Sequence, residues 1–521
     1  MTDTLHTIHQ SAKRFFSGTL LSRLSGMLRD VLMAFFFGTQ PAVAAFMLAF
    51  RFSHLFRRLF GEGALQSAFI PLFETLRHEH PVRAFLFFRD LSWTLTLFLL
   101  TLIGLGEIVL CGCLFYLDLT PPNQQIIFLT CLMLPSLLFI CLYGLNASLL
   151  QCEKIYFIPS VAPVVFNMIW ILALIGLHFL TIDQAMQGLA LVVVGACFCQ
   201  WLVTYPKLRS ILHTHLSHEK SSLTLYSIDV KALLKPLFLG ILGVAASQMN
   251  NAIDMLFARY AQSDGPALLW YAIRLQQLPL ALFGIAMAGA ILPPLTRALK
   301  AKKWNNYHQF LQDALGRTWN FILPLTLFLF LAGDTCVHLI YGHGEFNNQS
   351  IVGTTQCLWG YSFGLVPAAL TLVLAPVCYA HQNYHLPAIA SLGSMCLNLI
   401  LNSLFIFGFH WGALSVSIAT SLSSWMNLFF LAYVLSRIHS LELFEIFKKN
   451  LNFLWAASLA CMQLMLFRYY FLPLYPFYYF TYNVIMQFFI VCFLFLIFFT
   501  PYLIYISFIY IKEYLHRLTS H

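Results

Sequence analysis

The sequence predicts an all-α polytopic membrane protein of fourteen transmembrane helices: two six-helix bundles related by a parallel internal repeat, plus two C-terminal helices. Three observations lead there. The 521 residues are 60% hydrophobic and only 9% charged, where soluble domains carry roughly 25% charged residues. Apolar segments of spanning length recur along the whole chain. One half of the chain also repeats in the other at a nearly constant offset.

Segments able to cross a bilayer, about 20 residues or more, run at 15–37, 41–60, 85–117, 125–150, 156–180, 184–205, 233–261, 267–296, 309–341, 351–380, 386–409, 411–436, 450–471 and 482–511. Lysine and arginine collect on the cytoplasmic side of short loops. Lys13 and Arg14, Arg77 and Arg83, Lys154, Lys207 to Lys235, Arg297 to Lys303, Arg437 to Lys449, and Lys512 with Arg517 occupy alternate connections. The intervening loops Thr39–Gln40, Asp118–Gln124, Thr181–Asp183, Gln262–Pro266, Gly333–Ser350, Gly408–Trp411 and Leu472–Asn483 contain neither. The His381–His385 loop has only histidines. Both termini are expected in the cytoplasm. Residues 1–14 are polar and lead into a charged apolar helix with no small-residue cleavage site, so no removable leader is expected.

At an offset of 223, Ala49, Arg51, Leu55, Leu59, Phe60, Gly61 and Pro71 meet Ala272, Arg274, Leu278, Leu282, Phe283, Gly284 and Pro294. At 224, Asp30 meets Asp254 and Trp201 meets Trp425; at 228, Tyr156 and Pro159 meet Tyr384 and Pro387. Shared Arg, Asp, Trp and Pro at nearly one offset are not chance apolar matches. Six spans separate the halves, an even number, so they share one membrane orientation, and parallel repeats of this kind place a substrate site between them. The expected divisions are 1–220, 221–440 and 441–521, the last without a counterpart.

The spans carry charge that hydrocarbon tolerates poorly. Arg23, Arg29 and Asp30 fall in the first; Arg51, Arg57, Arg58 and Glu62 fall in or just past the second; Arg274 falls in the eighth. A charge at bilayer depth costs at least ~2.5 kcal/mol on insertion scales, so such residues face a protein-lined or watery interior and mark a substrate path. Arg51, Arg58 and Glu62 share one helical stripe within about 20°, with His54 about 60° away. Arg57 is about 100° off, so it points elsewhere or the helix is ending. The plainer alternative is that Arg29, Asp30, Arg58 and Glu62 neutralise one another at a cytoplasmic mouth. Arginine's planar fork suits phosphate and its charge cannot be titrated away, so several arginines from both bundles point to a diphosphate.

Catalysis has nothing to rest on: there is no Walker A motif, no GxSxG and no paired-histidine metal motif. His78-Glu79-His80 and Tyr341–Phe346 read as solvated loops. Thirteen cysteines are scattered, and Cys111/Cys113 and Cys197/Cys199, at i, i+2, point about 200° apart, so they read as apolar packing residues. The net charge of +9 is dispersed over one membrane face rather than gathered in a tail or stripe, which excludes a nucleic-acid partner.

The stretches SGTLLSRLSGMLRD, AFR…LFRRLFGEGALQSAFIP, YAIRLQQLP…GAILPPL and VLAPVCYA…LPA resemble the MurJ (MviN) lipid II flippases of the multidrug/oligosaccharidyl-lipid/polysaccharide exporter superfamily, from about Ser17 to the end of the twelfth span. The resemblance places that family's substrate-binding residues at Ser22, Arg23, Arg29, Arg57, Arg58 and Arg274, with the acid at Asp30. Arg51, His54 and Glu62 come from the stripe itself. It implies transport of undecaprenyl-diphosphate-linked peptidoglycan precursor from the inner to the outer leaflet of the bacterial cytoplasmic membrane by alternating access, with membrane lipids and cell-envelope synthesis proteins as neighbours. It implies no organic cofactor. A coupling sodium ion in the second bundle has as candidates Asp254, Asn398, Asn402 and Thr420, with Asn402 in place of an acid; the alternative is that Asp254 pairs with Arg259 or Arg274. Family features are missing at Ala44, Ser53-His54, Gln277 and Leu372. Arginines rather than acids argue against a cation exporter. A flippase for another polyprenyl-diphosphate sugar and a non-transporting envelope scaffold stay open at this stage.

Overall fold

The computed structural model describes residues 5–55, 57, 63–217, 222–280, 295, 297–381, 383, 385–439, 453–471, 492–502 and 504. Among them there is no strand. The helices are α1 (Leu5–Phe37), α2 (Pro41–Ser53), α3 (Ala64–Glu79), α4 (Pro81–Tyr116), α5 (Pro121–Met133), α6 (Ser136–Cys152), α7 (Phe157–Leu177), α8 (Ile182–Leu216), α9 (Ile228–Ala261), α10 (Gly265–Pro279), α11 (Trp304–Tyr341), α12 (Asn348–Phe363), α13 (Leu365–Ala380), α14 (His385–Ser403), α15 (Leu414–His439), α16 (Phe453–Phe471) and α17 (Cys492–Tyr502). Proline at the first or second helical position opens α2, α4, α5 and α10, where its missing N–H leaves nothing unsatisfied. At the start of α12, Asn347 Oδ1 accepts the Ser350 amide at 2.9 Å, a side-chain N-cap.

The chain divides into two compact units, Met1–Arg259 and Tyr260–His521. In the first, α1 lies along α7, α2 packs on α5 and α8, α4 touches α5 and α6, and α8 contacts α6 and α7. In the second the pairings recur within the unit: α10 packs on α12, α11 touches α12 and α13, and α15 contacts α12, α13 and α14. The fourth and tenth spans are each interrupted midway. Pro135 separates α5 from α6 with a bend of 43°, as proline does when it removes a helical hydrogen bond, and Gly364 separates α12 from α13. Beyond α2 and α10 the backbone passes through a wider π-type turn, at Arg57 and Leu280, positions 223 residues apart. The repeat is therefore a repeat of backbone as well as of residue type.

Without lipid-excluding pressure between helices, membrane bundles close by small-residue packing. Gly360 on α12 allows this against α15: a β-carbon there would run into the Ser417 side chain and lie 3.3 Å from the Ile418 amide nitrogen. One turn on, Ser421 Oγ donates to Gly360 O at 2.6 Å and Trp425 Nε1 to Phe363 O at 3.0 Å. The two C-terminal helices use the same device, setting Ala456, Ala457 and Ala460 of α16, with Leu494, Phe498 and Tyr502 of α17, against Phe328, Ala332 and Cys336 of α11.

Several expectations change. Seven of the described helical spans are long and apolar enough to cross a membrane, or eight if the bent α5–α6 pair counts as one, so fourteen remains a reading of the sequence. The polar segment before the first span is already helical from Leu5. The regular helix of the second span ends at Ser53, with His54 as its cap; Arg58 and Glu62, the other members of the expected stripe, lie outside the described residues. The stretch read as a loop after that span holds α3, whose Leu65, Ala68, Phe69, Phe73 and Leu76 are buried at helical spacing. Phe69 stacks on Phe73 and Phe87; His78 and Glu79 form the last turn of this helix and, with His80 as its cap, are exposed as expected. In the Tyr341–Phe346 loop, Tyr341 and Phe346 are buried against Tyr271.

Replacing Gly360 by Val should lower stability by about 1–3 kcal/mol, the usual range for overpacking. Gly112→Val, at a position with no atom within 4 Å of the added β-carbon, should leave the thermal unfolding midpoint in detergent unchanged.

Candidate functional site

The charged residues of α1 are built into a buried network. Arg29 and Asp30 are 7% and 3% exposed. Arg29 Nε and Nη2 donate to Asp30 Oδ1 at 3.1 and 2.8 Å, and Nη1 donates to Asn167 Oδ1 of α7 at 3.1 Å. The Asn167 amide nitrogen donates back to Ser22 O at 3.2 Å and Ser25 Oγ at 2.9 Å. The guanidinium also lies 4.7 Å from the Trp170 ring centroid, a cation–π contact that gains strength when desolvated. All three guanidinium nitrogens and one face of Arg29 are thus engaged. Asn167 and Trp170 were absent from the sequence reading. They sit three residues apart on one face of an otherwise apolar span, and only that spacing could have drawn attention to them.

From Trp170 an aromatic ladder leads to the end of α2. Phe46 and Phe50 meet the indole edge-on at 5.5 and 5.1 Å, and Phe50 stacks on His54 at 4.0 Å. The His54 ring contacts Phe50 O at 3.1 Å through Nδ1 and the Cys197 thiol of α8 at 4.0 Å through Nε2. The Arg57 amide donates to His54 O at 3.2 Å. Arg51 and Arg57 are half-buried on either side of this cap. Arg23 lies about 120° around α1 from Arg29, is exposed and makes no ion pair among the described residues. Ser22 is half-buried and contributes its carbonyl to the Asn167 network.

In the second unit, Arg274 on α10 is half-buried with its guanidinium 4.6 Å from the Trp270 ring centroid. Two residues on, Gln276 Nε2 donates to Tyr361 O at 3.2 Å, which fixes the rotation of α10 against α12. Asn398 and Asn402, one turn apart on α14, are fully buried, with Asn402 Nδ2 donating to Asn398 Oδ1 at 3.4 Å. Thr420 on the adjacent α15 donates its hydroxyl to Val416 O at 2.9 Å. Asp254, on α9 within the first unit, is 3% exposed and accepts from the Asn250 amide at 3.3 Å. In the second unit, Asn398, Asn402 and Thr420 each carry a side-chain oxygen, the ligand type that a hard cation takes; Asp254 belongs to the first unit.

A family profile described as lipid II flippase MurJ matches residues 33–488. The chain belongs to the MurJ lipid II flippase family. A relative from Chlamydia muridarum, described as a probable lipid II flippase MurJ, is 35% identical over 436 residues, covering 81% of this chain and 78% of its own. A solved lipid II flippase MurJ in an inward closed conformation superposes with a TM-score of 0.75 at 25% identity, covering 96% of this chain and 99% of that one. An inward-facing multidrug-resistance MATE transporter of the MOP superfamily shares the fold at a TM-score of 0.64 and 15% identity, over 83% and 99% of the two chains. Members of the MurJ family are transporters, and this one is a multi-pass membrane protein.

Removing one partner of a buried ion pair strands the other charge at about 3–5 kcal/mol, whereas removing both with apolar replacements is often near neutral. Arg29→Leu should therefore depress the thermal midpoint strongly, and Arg29→Leu with Asp30→Leu should recover most of the loss. Equal destabilisation of single and double variants would place the weight of the network elsewhere.

Proposed function

We propose that this MurJ-family chain moves lipid II from the inner to the outer leaflet of the bacterial cytoplasmic membrane by alternating access, with both termini in the cytoplasm. The observation that carries the reading is that apolar helices of both units carry arginine: Arg23 and Arg29 on α1, Arg51 on α2 and Arg274 on α10. Arg23, Arg51, Arg57, Arg58 and Arg274 supply paired N–H donors and fixed charge to the diphosphate, with Ser22 and His54 as the polar groups beside them. Arg29 enters with every guanidinium nitrogen engaged, so contact with a phosphate requires one of those bonds to open. Asp30 balances it, and Glu62 is assigned the same part for the second span.

The driving force follows from the sign of the cargo. Moving negative charge outward across an inside-negative potential is favourable by about 2.3 kcal/mol per charge per 100 mV, an amount that can suffice alone. A coupling sodium ion, for which the sequence offers Asp254 and, separately in the second unit, Asn398, Asn402 and Thr420, would add to it as the return path for positive charge. On this account Asp254→Asn is only a partial defect.

Cells depleted of their own lipid II flippase should grow when supplied with this chain. Arg57→Ala and Arg274→Ala, at normal expression, should fail to support growth and bind lipid II at least about 30-fold more weakly, the equivalent of about 2 kcal/mol lost from a desolvated charge contact. Lysine should rescue poorly. Full growth and wild-type affinity in the Ala variants would remove the arginines from the site.

A further inference from the structure

Outside the arginine network, one cluster of side chains has no part in the transport reading. On α4, Glu107 and Cys111 stand at i, i+4 and so on one face; α5 packs against that face and brings Cys131 to it. A carboxylate oxygen of Glu107 and the sulfurs of Cys111 and Cys131 all lie within 4.8 Å of one another. The helices can approach this closely because Gly106 carries no side chain: a β-carbon there would lie 2.8 Å from Leu134 Cδ2.

We propose that Glu107, Cys111 and Cys131 form a binding site for a thiophilic divalent cation of the Zn²⁺ or Cd²⁺ type. Two thiolates and one carboxylate are the ligand types such ions take, and three protein ligands leave a tetrahedral ion one open position. Ligand atoms on such an ion stand roughly 3.3–3.8 Å apart, given bond lengths near 2.0–2.3 Å, so small side-chain rotations close the site from the observed spacing. Glu107 lies among the outward-facing apolar residues Leu105, Ile108 and Val109 and makes no ion pair among the described residues, so none of their cations competes for its carboxylate; the ion displaces the two thiol protons, which leaves the net charge of the site unchanged. Cys131 lies one turn before the break at Pro135, and its carbonyl accepts the Leu134 amide at 3.2 Å. A bound ion would therefore staple α4 to the bend of the fourth span. The local sequence hides the site, because the neighbouring pair Cys111 and Cys113 does point apart and the partner thiol comes from the next helix.

The test is Cd²⁺ titration of the purified full-length protein in detergent under reducing conditions, read by thiolate-to-metal charge-transfer absorption. The expected result is one tight equivalent per chain in the wild type and after Cys113→Ser, lost after Cys111→Ser or Cys131→Ser. Glu107→Gln should weaken binding by at least the roughly 10–100-fold that loss of an outer metal-site partner costs. Cys111 is exposed, so Cys111→Ser carries the test if Cys131→Ser fails to fold, with helical circular dichroism and monodisperse elution as the criteria of folding. Absence of a tight equivalent in the wild type, an unchanged titration in Cys111→Ser, or a Cys111–Cys131 disulfide by mass spectrometry of protein isolated without reductant would each overturn the proposal.

Discussion

The interaction on which the first unit depends is the pairing of Arg29 with Asp30 inside a segment that must lie in hydrocarbon. Neither charge is stable there alone, and an adjacent pair on one helix satisfies only part of what each can donate or accept. Asn167 supplies the remaining acceptor and Trp170 the guanidinium's stacking face, and both belong to α7. Compensation of one charge therefore sets the position of α1 on α7. Because Phe46 and Phe50 pack on the same indole, it also reaches α2 and the cap at His54, beyond which the backbone widens at Arg57. A phosphate that drew Arg29 away from Asn167 would loosen this chain of contacts, which gives ligand binding a physical route to helix movement.

Comparing the two units residue by residue shows what the duplication kept. Arg51 and Arg274 are both arginine; Arg57 has become Leu280 in the same π-type turn. The backbone device is retained and its charge dropped, so positive charge is concentrated in the first unit. The acid of the network changes in the opposite sense. Asp254 occupies the place of Asp30, but the preceding residue is Ile253 instead of an arginine, and its carboxylate accepts from Asn250. The acid is thus kept while the arginine that precedes Asp30 is not.

Much of this was legible in the sequence because charge in an apolar segment is costly and hence conspicuous. The arginines of the spans and the multi-pass character of the chain both follow from that single contrast. What stayed hidden was supplied by tertiary neighbours. Asn167, distant in the chain from Arg29, reads as one more small polar residue in a span. Cys131 reads as apolar until α5 places it beside Cys111. α3 was overlooked because its moderate hydrophobicity lies below any spanning threshold, although its buried positions recur every three or four residues. The end of α2 was ambiguous because no proline or glycine marks it before Gly61; the strain is taken up by a cap at His54 instead.

The central claim is that the arginines read a diphosphate. The direct measurement is competition for labelled lipid II on the purified protein by undecaprenyl diphosphate and undecaprenyl monophosphate, carriers with the same lipid tail. Paired N–H donors on two phosphates predict that the diphosphate displaces lipid II at least about tenfold more effectively, a difference of about 1.4 kcal/mol, and that Arg274→Ala narrows the gap. Equal displacement by the two carriers, unaltered by Arg274→Ala, would contradict the account.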